Sequence, residues 1–143
     1  MMEKTTFTPG ETKELGHALA KELKPGSVVA LSGPLGSGKT VLIQGICSGL
    51  GVTEFVTSPS FVIINEYPGK VKVYHFDLYR LDNIEEFVKL GYEEYFYGNG
   101  ITLIEWAEKI KKFLPEERVE INLKILSEKK RGISVKRFKG SKV

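Results

Sequence analysis

Residues 27–42 read Ser27-Val28-Val29-Ala30-Leu31-Ser32-Gly33-Pro34-Leu35-Gly36-Ser37-Gly38-Lys39-Thr40-Val41-Leu42, and this stretch decides the fold. Its first six residues are a short apolar run of the kind that forms a buried parallel strand. The next eight match G-x-x-x-x-G-K-[ST] through Gly33, Gly38, Lys39 and Thr40. Beyond them Val41, Leu42, Ile43, Ile46, Cys47 and Leu50 continue as a mostly apolar helix, which Gly49 and Gly51 bring to an end. Strand, glycine loop and helix follow one another as a phosphate-binding loop requires. Glycine lets the backbone curl until its N–H groups converge on phosphate oxygens, so Gly33, Gly36, Ser37 and Gly38 are predicted to cradle a nucleotide. Lys39 is predicted to reach the β- and γ-phosphates and Thr40 to place its hydroxyl in a magnesium shell. The helix start adds its partial positive charge. The expected cofactors are ATP and Mg2+.

Such a site also needs a carboxylate to hold magnesium or orient water. One candidate ends the next strongly apolar stretch, Ile101-Thr102-Leu103-Ile104-Glu105-Trp106. A carboxylate at the C-terminal end of a buried strand lies where open α/β sheets bind ligands. The plainer alternative for Glu105 is a strand-terminal charge turned to solvent. The second candidate is Asp77, within Tyr74-His75-Phe76-Asp77-Leu78-Tyr79-Arg80. Two-residue alternation puts Asp77 on one face with Val73, His75 and Tyr79, and an acid in such aromatic surroundings must find a partner or protonate. A structural pair with Arg80 or a histidine is the alternative to a catalytic role. His75 alone reads as a hydrogen-bonded core residue, and Trp106 as a packing anchor or an exposed contact. Thr57, Ser58 and Ser60 follow the loop helix, where nucleotide switches place a segment that senses the γ-phosphate.

The remaining chain supplies a small α/β domain around these segments. Thr8 reads as an N-cap with Pro9 at the first helical position and Glu11 three residues past the cap, opening an amphipathic helix through Leu15, Ala18, Leu19 and Leu23 that stops at Pro25-Gly26. Phe61–Tyr67 and Lys70–Tyr79 read as a hairpin across Pro68-Gly69, and Ile84–Leu90 as a helix that Gly91 interrupts before a second one ends near Phe96. Ala107–Leu114 reads as a short helix closed by Pro115. Arg118–Leu126 and Arg131–Phe138 read as a closing hairpin across Ser127–Lys130. The expected architecture is one domain over residues 1–143, a P-loop NTPase-like fold with a mixed, mostly parallel central sheet flanked by helices, with hairpins.

With 143 residues and 41% hydrophobic side chains, the chain is long enough to fold around its own core. Cys47 is the single cysteine, which excludes an intramolecular disulfide and a cysteine-based zinc site. The N-terminal MMEKTTFTPGETK has no apolar core of signal-peptide type, and no run of eighteen apolar residues occurs, so a cytoplasmic protein with no membrane role is expected. The net charge of +3 is unevenly spread: residues 107–143 hold twelve Lys/Arg against five Glu. A basic end of this kind either faces a polyanion such as RNA, an acidic protein surface, or simply solvent.

Taken together, GPLGSGKT, TSPSF, YHFDLYRL and LIEWAEK, in this order, resemble the TsaE (YjeE) family of bacterial ATPases in tRNA threonylcarbamoyladenosine biosynthesis, over about Thr8 to Val135. The resemblance implies slow ATP hydrolysis and work with the proteins TsaB and TsaD, which complete the N6-threonylcarbamoyladenosine at position 37 of tRNA; tRNA is then met only through that complex. It implies that the ATPase resets the complex between rounds and performs no carbamoyl transfer itself. It implies further that Lys39 binds phosphate, that Thr40 and Glu105 serve the magnesium, that Asp77 supports hydrolysis and that Trp106 is functionally sensitive. Thr12 and Arg131 match positions near adenine and ribose. The family's Ser-Pro-Thr here reads Ser58-Pro59-Ser60, which keeps the hydroxyl.

Two other functions share the loop. A small P-loop kinase needs an acceptor pocket and an arginine-bearing lid, whereas this chain has four arginines and no evident lid insertion. A nucleotide-dependent regulatory switch reading GTP would carry Asn-Lys-x-Asp, which does not occur.

Overall fold

The computed structural model describes residues 2–53 and 64–139. Its strands are β1 (Met2–Thr6), β2 (Val28–Ser32), β3 (Ile64–Tyr67), β4 (Val73–Asp77), β5 (Ile101–Glu105), β6 (Arg118–Ile125) and β7 (Arg131–Phe138). They form one sheet in the order β1-β7-β6-β2-β5-β4-β3. The four central strands β6, β2, β5 and β4 run parallel. Antiparallel β7 and β1 extend one side and β3 the other.

Strand β2 lies at the centre because its residues are apolar on both faces. Val29 and Leu31 pack on one side with Leu42, Ile43 and Ile46 of helix α2 (Lys39–Gly49), against which α1 (Pro9–Leu19) lies. Val28 and Ala30 pack on the other with Phe76, Ile104 and the helices α3 (Ile84–Lys89) and α4 (Tyr92–Phe96), through Phe87 and Phe96. Burying each such side chain contributes about 1.5–3 kcal/mol, so two filled faces outweigh any local preference in fixing β2. Cys47 lies in the first of these cores, and burial pushes its thiol up to about 12, which makes it unreactive.

The predicted start of α1 is present. The Thr8 side chain accepts from Glu11 N–H at 3.1 Å, Pro9 opens the helix, and Glu11 in turn accepts from Phe7 N–H at 3.1 Å. Gly91, at φ +71°, separates α3 from α4 as expected. Helix α3 and strand β6 each end one residue early, and three further differences have structural causes. Strand β4 covers Val73–Asp77 rather than Lys70–Tyr79, because Asp77 Oδ1 accepts from Tyr79 N–H at 3.1 Å, and that local turn ends the strand. Tyr79 therefore leaves the alternation that was to put it beside Asp77. Ala107–Phe113 is a 3₁₀ helix interrupted at Ile110, whose buried side chain belongs to the second core, rather than a regular helix to Leu114. The amphipathic helix ends at Leu19, and a 3₁₀ turn, Ala20–Glu22, carries the chain on toward Pro25-Gly26.

The basic C-terminal third is partly committed to the fold. Arg118 pairs with Glu120, Arg137 with Glu22, and Lys109 donates to the carbonyls of Tyr79 and Leu81. Among the described residues no helix is long and apolar enough to cross a membrane.

Candidate nucleotide site

The parallel strands end together. In register, Leu31 of β2 stands beside Glu105 of β5, and Glu105 beside Asp77 of β4. The two predicted carboxylates therefore occupy neighbouring strand ends, next to the loop that leaves β2. A cavity of about 480 Å3 opens there, lined by loop residues Gly36 to Val41 apart from Ser37, by both carboxylates, and by Leu35, Tyr79, Arg80 and Trp106.

The loop gives the helix after it no side-chain cap. Helices α1 and α3 have side-chain caps from Thr8 and Asn83, whereas α2 begins at Gly38, which has no side chain to cap it. Gly38 sits at φ +100° and Gly36 at φ +81°, conformations that other residues adopt only at a cost of roughly 1–2 kcal/mol. The start of α2 thus has no side-chain cap from its N-cap residue, and its first turn carries no acid. Ser37 Oγ is fully buried with no hydrogen-bond partner among the described residues. These features suit an anion with several oxygens.

Lys39 is 5% exposed. Its ammonium donates to the carbonyls of Gly33 and Pro34 and lies 3.8 Å from the centre of the Trp106 ring. Burial lowers its proton affinity, while Glu105, Glu108 and Asp77 act in the opposite direction. Trp106 holds this place at a cost. It is the only non-glycine residue with positive φ among the described residues, at φ 61°, ψ 39°. Such strain, about 1–3 kcal/mol, concentrates at functional sites.

Glu105 does not point to solvent. It is 3% exposed; Oε1 accepts from the Thr40 hydroxyl at 3.0 Å, and Oε2 lies 2.6 Å from His75 Nε2. The Thr40–Glu105 pair offers hard oxygen donors from loop and strand, the donor type magnesium takes. Two such donors fit a magnesium ion that takes its remaining ligands from phosphate oxygens and water; among the described residues no three His, Cys, Asp or Glu cluster as a metal site. His75 is the buried, hydrogen-bonded residue the sequence suggested, but its partner is Glu105; Asp77 instead accepts from Tyr79 N–H. Asp77 is half-buried and its carboxyl is held above the ordinary value, chiefly by burial, with Glu105 adding to the effect and the Tyr79 N–H, His75 and Lys39 opposing it.

A second cavity, of about 420 Å3, lies across Gly36 and Gly38 from the first and contains both Thr12 and Arg131. Thr12 is buried and shares a 2.7 Å hydrogen bond with Thr6. Arg131 donates to Gly36 O and, through Nη1, to three carbonyls of the 127–130 turn. Phe7 and Val41 add apolar wall that sequence reading missed, although Phe7 stands directly before the predicted N-cap. Thr57, Ser58 and Ser60 lie outside the described residues.

An Asp77→Asn protein is expected to melt slightly higher than the parent at neutral pH. A carboxyl whose proton affinity is raised on folding is charged at neutral pH at a cost to stability; that cost fades as pH falls through the folded-state value, and the amide removes it at every pH. Paired thermal melts at neutral pH and pH 4 check this: the advantage of the variant is expected to shrink at the lower pH.

Residues 6–133 match the family described as threonylcarbamoyl adenosine biosynthesis protein TsaE. A protein of Bacillus subtilis (strain 168) named tRNA threonylcarbamoyladenosine biosynthesis protein TsaE is 44% identical over 130 residues, covering 90% of this chain and 81% of that one. A protein of the same name from Treponema pallidum (strain Nichols) is 41% identical over 125 residues, covering 87% and 93%. The crystal structure of Bacillus subtilis YdiB superposes with a TM-score of 0.84 at 39% identity, over 96% of this chain and 86% of that chain.

Proposed function

The chain belongs to the TsaE family of threonylcarbamoyl adenosine biosynthesis proteins, and from that premise we propose that it serves tRNA N6-threonylcarbamoyladenosine formation as a magnesium-dependent ATPase in the cytoplasm. The observation that carries the ATPase reading is the buried Glu105 carboxylate bonded to Thr40 at the start of α2. A carboxylate taken out of water must be paired, and here one of its two partners is the hydroxyl of the glycine loop itself.

In this reading the N–H groups of Gly36, Gly38, Lys39 and Thr40 hold the β- and γ-phosphates, the Ser37 N–H staying with the Pro34 carbonyl, and Lys39 leaves the Gly33 and Pro34 carbonyls to meet them. Thr40 and Glu105 hold the magnesium, whose chemistry is to neutralise charge that develops on the phosphate oxygens. Both Glu105 oxygens are engaged, by Thr40 and His75, whereas among the described residues only Oδ1 of Asp77 receives a bond, from Tyr79 N–H. Asp77 is therefore the better placed of the two to orient the attacking water. The cavity at Thr12 and Arg131 takes the adenine and ribose, with Phe7 and Val41 as apolar wall. TsaB and TsaD are the partners whose complex this ATPase resets, and tRNA is met through them.

Titration with ATP and GTP by calorimetry, with and without magnesium, tests the ligand; ATP is expected to bind and GTP to bind weakly. A clear preference for GTP removes the ATP reading. Modification of tRNA reconstituted with TsaB and TsaD tests the pathway: multiple turnovers are expected to require this protein, and indifference to it would remove the reading.

A further inference from the structure

We propose that His75 is a positioning residue for the magnesium site, holding the Glu105 carboxylate so that its other oxygen meets Thr40. The inference rests on the magnesium-ATP reading above and adds to it a residue that never touches the ligand.

His75 lies in the middle of β4 and Glu105 at the end of β5, both on the sheet face that α2 covers. The imidazole is fully buried, and Nε2 stands 2.6 Å from Glu105 Oε2. An ionised carboxylate only accepts, so the ring donates from Nε2. Nδ1 is buried without a hydrogen-bond partner among the described residues. A lone pair left without a partner is less costly than an orphaned N–H, which again places the proton on Nε2. The carboxylate is thus pinned at both oxygens, by an imidazole from the sheet and a hydroxyl from the loop. Rotation of Glu105 about its last torsion would break both bonds at once.

This arrangement explains why an imidazole occupies a position in the sheet where an aliphatic side chain would pack without polar cost. The β2–β5 register brings the end of β5 beside the strand that leads into the glycine loop, but it leaves the side-chain torsions of Glu105 free. The His75 N–H supplies the third point. Partners that orient a ligating group in this way alter metal affinity about 10–100-fold when removed.

Three variants separate positioning from packing. His75→Leu removes the donor, His75→Gln keeps an N–H at about the reach of Nε2, and His75→Asn keeps polarity but falls short of Glu105. Each protein is saturated with a non-hydrolysable ATP analogue, and magnesium is titrated in by calorimetry; analogue affinity is measured separately in EDTA. The expected result is a 10–100-fold weaker magnesium affinity in the Leu and Asn proteins, recovery in the Gln protein, and unchanged magnesium-free analogue affinity in all three. Equal magnesium affinity in the Leu and parent proteins overturns the inference, as does equal loss in Leu and Gln. If the parent itself binds the analogue without any response to magnesium, the underlying reading fails instead. Nitrogen-15 shifts of the parent imidazole need no variant: a protonated Nε2 is expected, and an unprotonated Nε2 overturns the inference.

Discussion

A Lys39→Met protein is expected to lose ATP hydrolysis by at least about 10²–10³-fold, the loss that follows removal of one preorganised donor to developing charge, while remaining folded. The geometry makes this separable from a packing defect. The lysine stem lies under Trp106, with the ammonium 3.8 Å from the ring centre, and methionine keeps an unbranched stem of similar length there. Burial lowers the proton affinity of Lys39 despite the attraction of Glu105, Glu108 and Asp77. For a lysine whose folded-state value is depressed, the charged form costs stability at every pH below that value, and the cost disappears as pH rises through the range between the folded and unfolded values. Methionine removes this cost but leaves the Gly33 and Pro34 carbonyls without the ammonium. The two changes oppose one another, so thermal melts of parent and variant are expected to lie close together. Arginine is no substitute, because its planar guanidinium does not present the compact point charge with which the ammonium meets both the Trp106 ring and the two carbonyls. Hydrolysis at the parental rate in Lys39→Met would remove Lys39 from the phosphate site.

How much of this was legible in the sequence follows from which interactions are local. The glycine loop, the Thr8 cap, the Gly91 break between α3 and α4 and the Ser127–Lys130 turn are each set by residues a few positions apart, and each stands where the sequence put it. The acid ending Ile101–Glu105 was also readable, since a continuous apolar run marks a strand buried on both faces and its end marks the ligand edge. The pairing of His75 with Glu105 was not readable. Alternation along β4 suggests His75 and Asp77 as companions on one face, and only the parallel register of β4 with β5 brings Glu105 to the histidine. The left-handed turn at Trp106 has no sequence signal either, because nothing about a tryptophan favours positive φ. Nor did the charge count reveal that Arg118, Arg131, Arg137 and Lys109 are engaged within the fold.

Glycine was read only where it turns the chain, yet three glycines act by bringing two helices together. Gly45→Ala is expected to destabilise the protein by about 2–3 kcal/mol, the upper part of the range for an overpacked contact, and to lower its melting temperature by roughly 6–12 °C. In an exposed helix the same change would stabilise by about 0.5–1 kcal/mol. Here a Cβ on Gly45 would stand 2.9 Å from the Lys13 carbonyl carbon of α1 and closer still to its oxygen. Backbone cannot swing aside as a side-chain tip can, so the helices must part. Gly16 in α1 faces Ile46 N at 2.9 Å by the same construction, and Gly49 faces His17 O at 2.7 Å, so the close approach runs the length of the contact. Helix α2 is anchored on the sheet by Leu42, Ile43 and Ile46, and α1 lies outside it; α1 is the element that yields. It carries Thr12, whose methyl group lies close to Gly38 at the wall of the second cavity. The Gly45→Ala protein is therefore expected to bind nucleotide more weakly while hydrolysing bound ATP at close to the parental rate, since Lys39, Thr40 and Glu105 stay with α2 and β5. Gly10→Ala is the matched control: the same change in the first turn of α1 meets only Thr8 Oγ1 at 3.7 Å and is expected to be neutral or stabilising. Equal melting of the Gly45 and Gly10 variants would show that α1 and α2 do not depend on this contact. A fall in turnover rather than in affinity would show that α2, not α1, had moved.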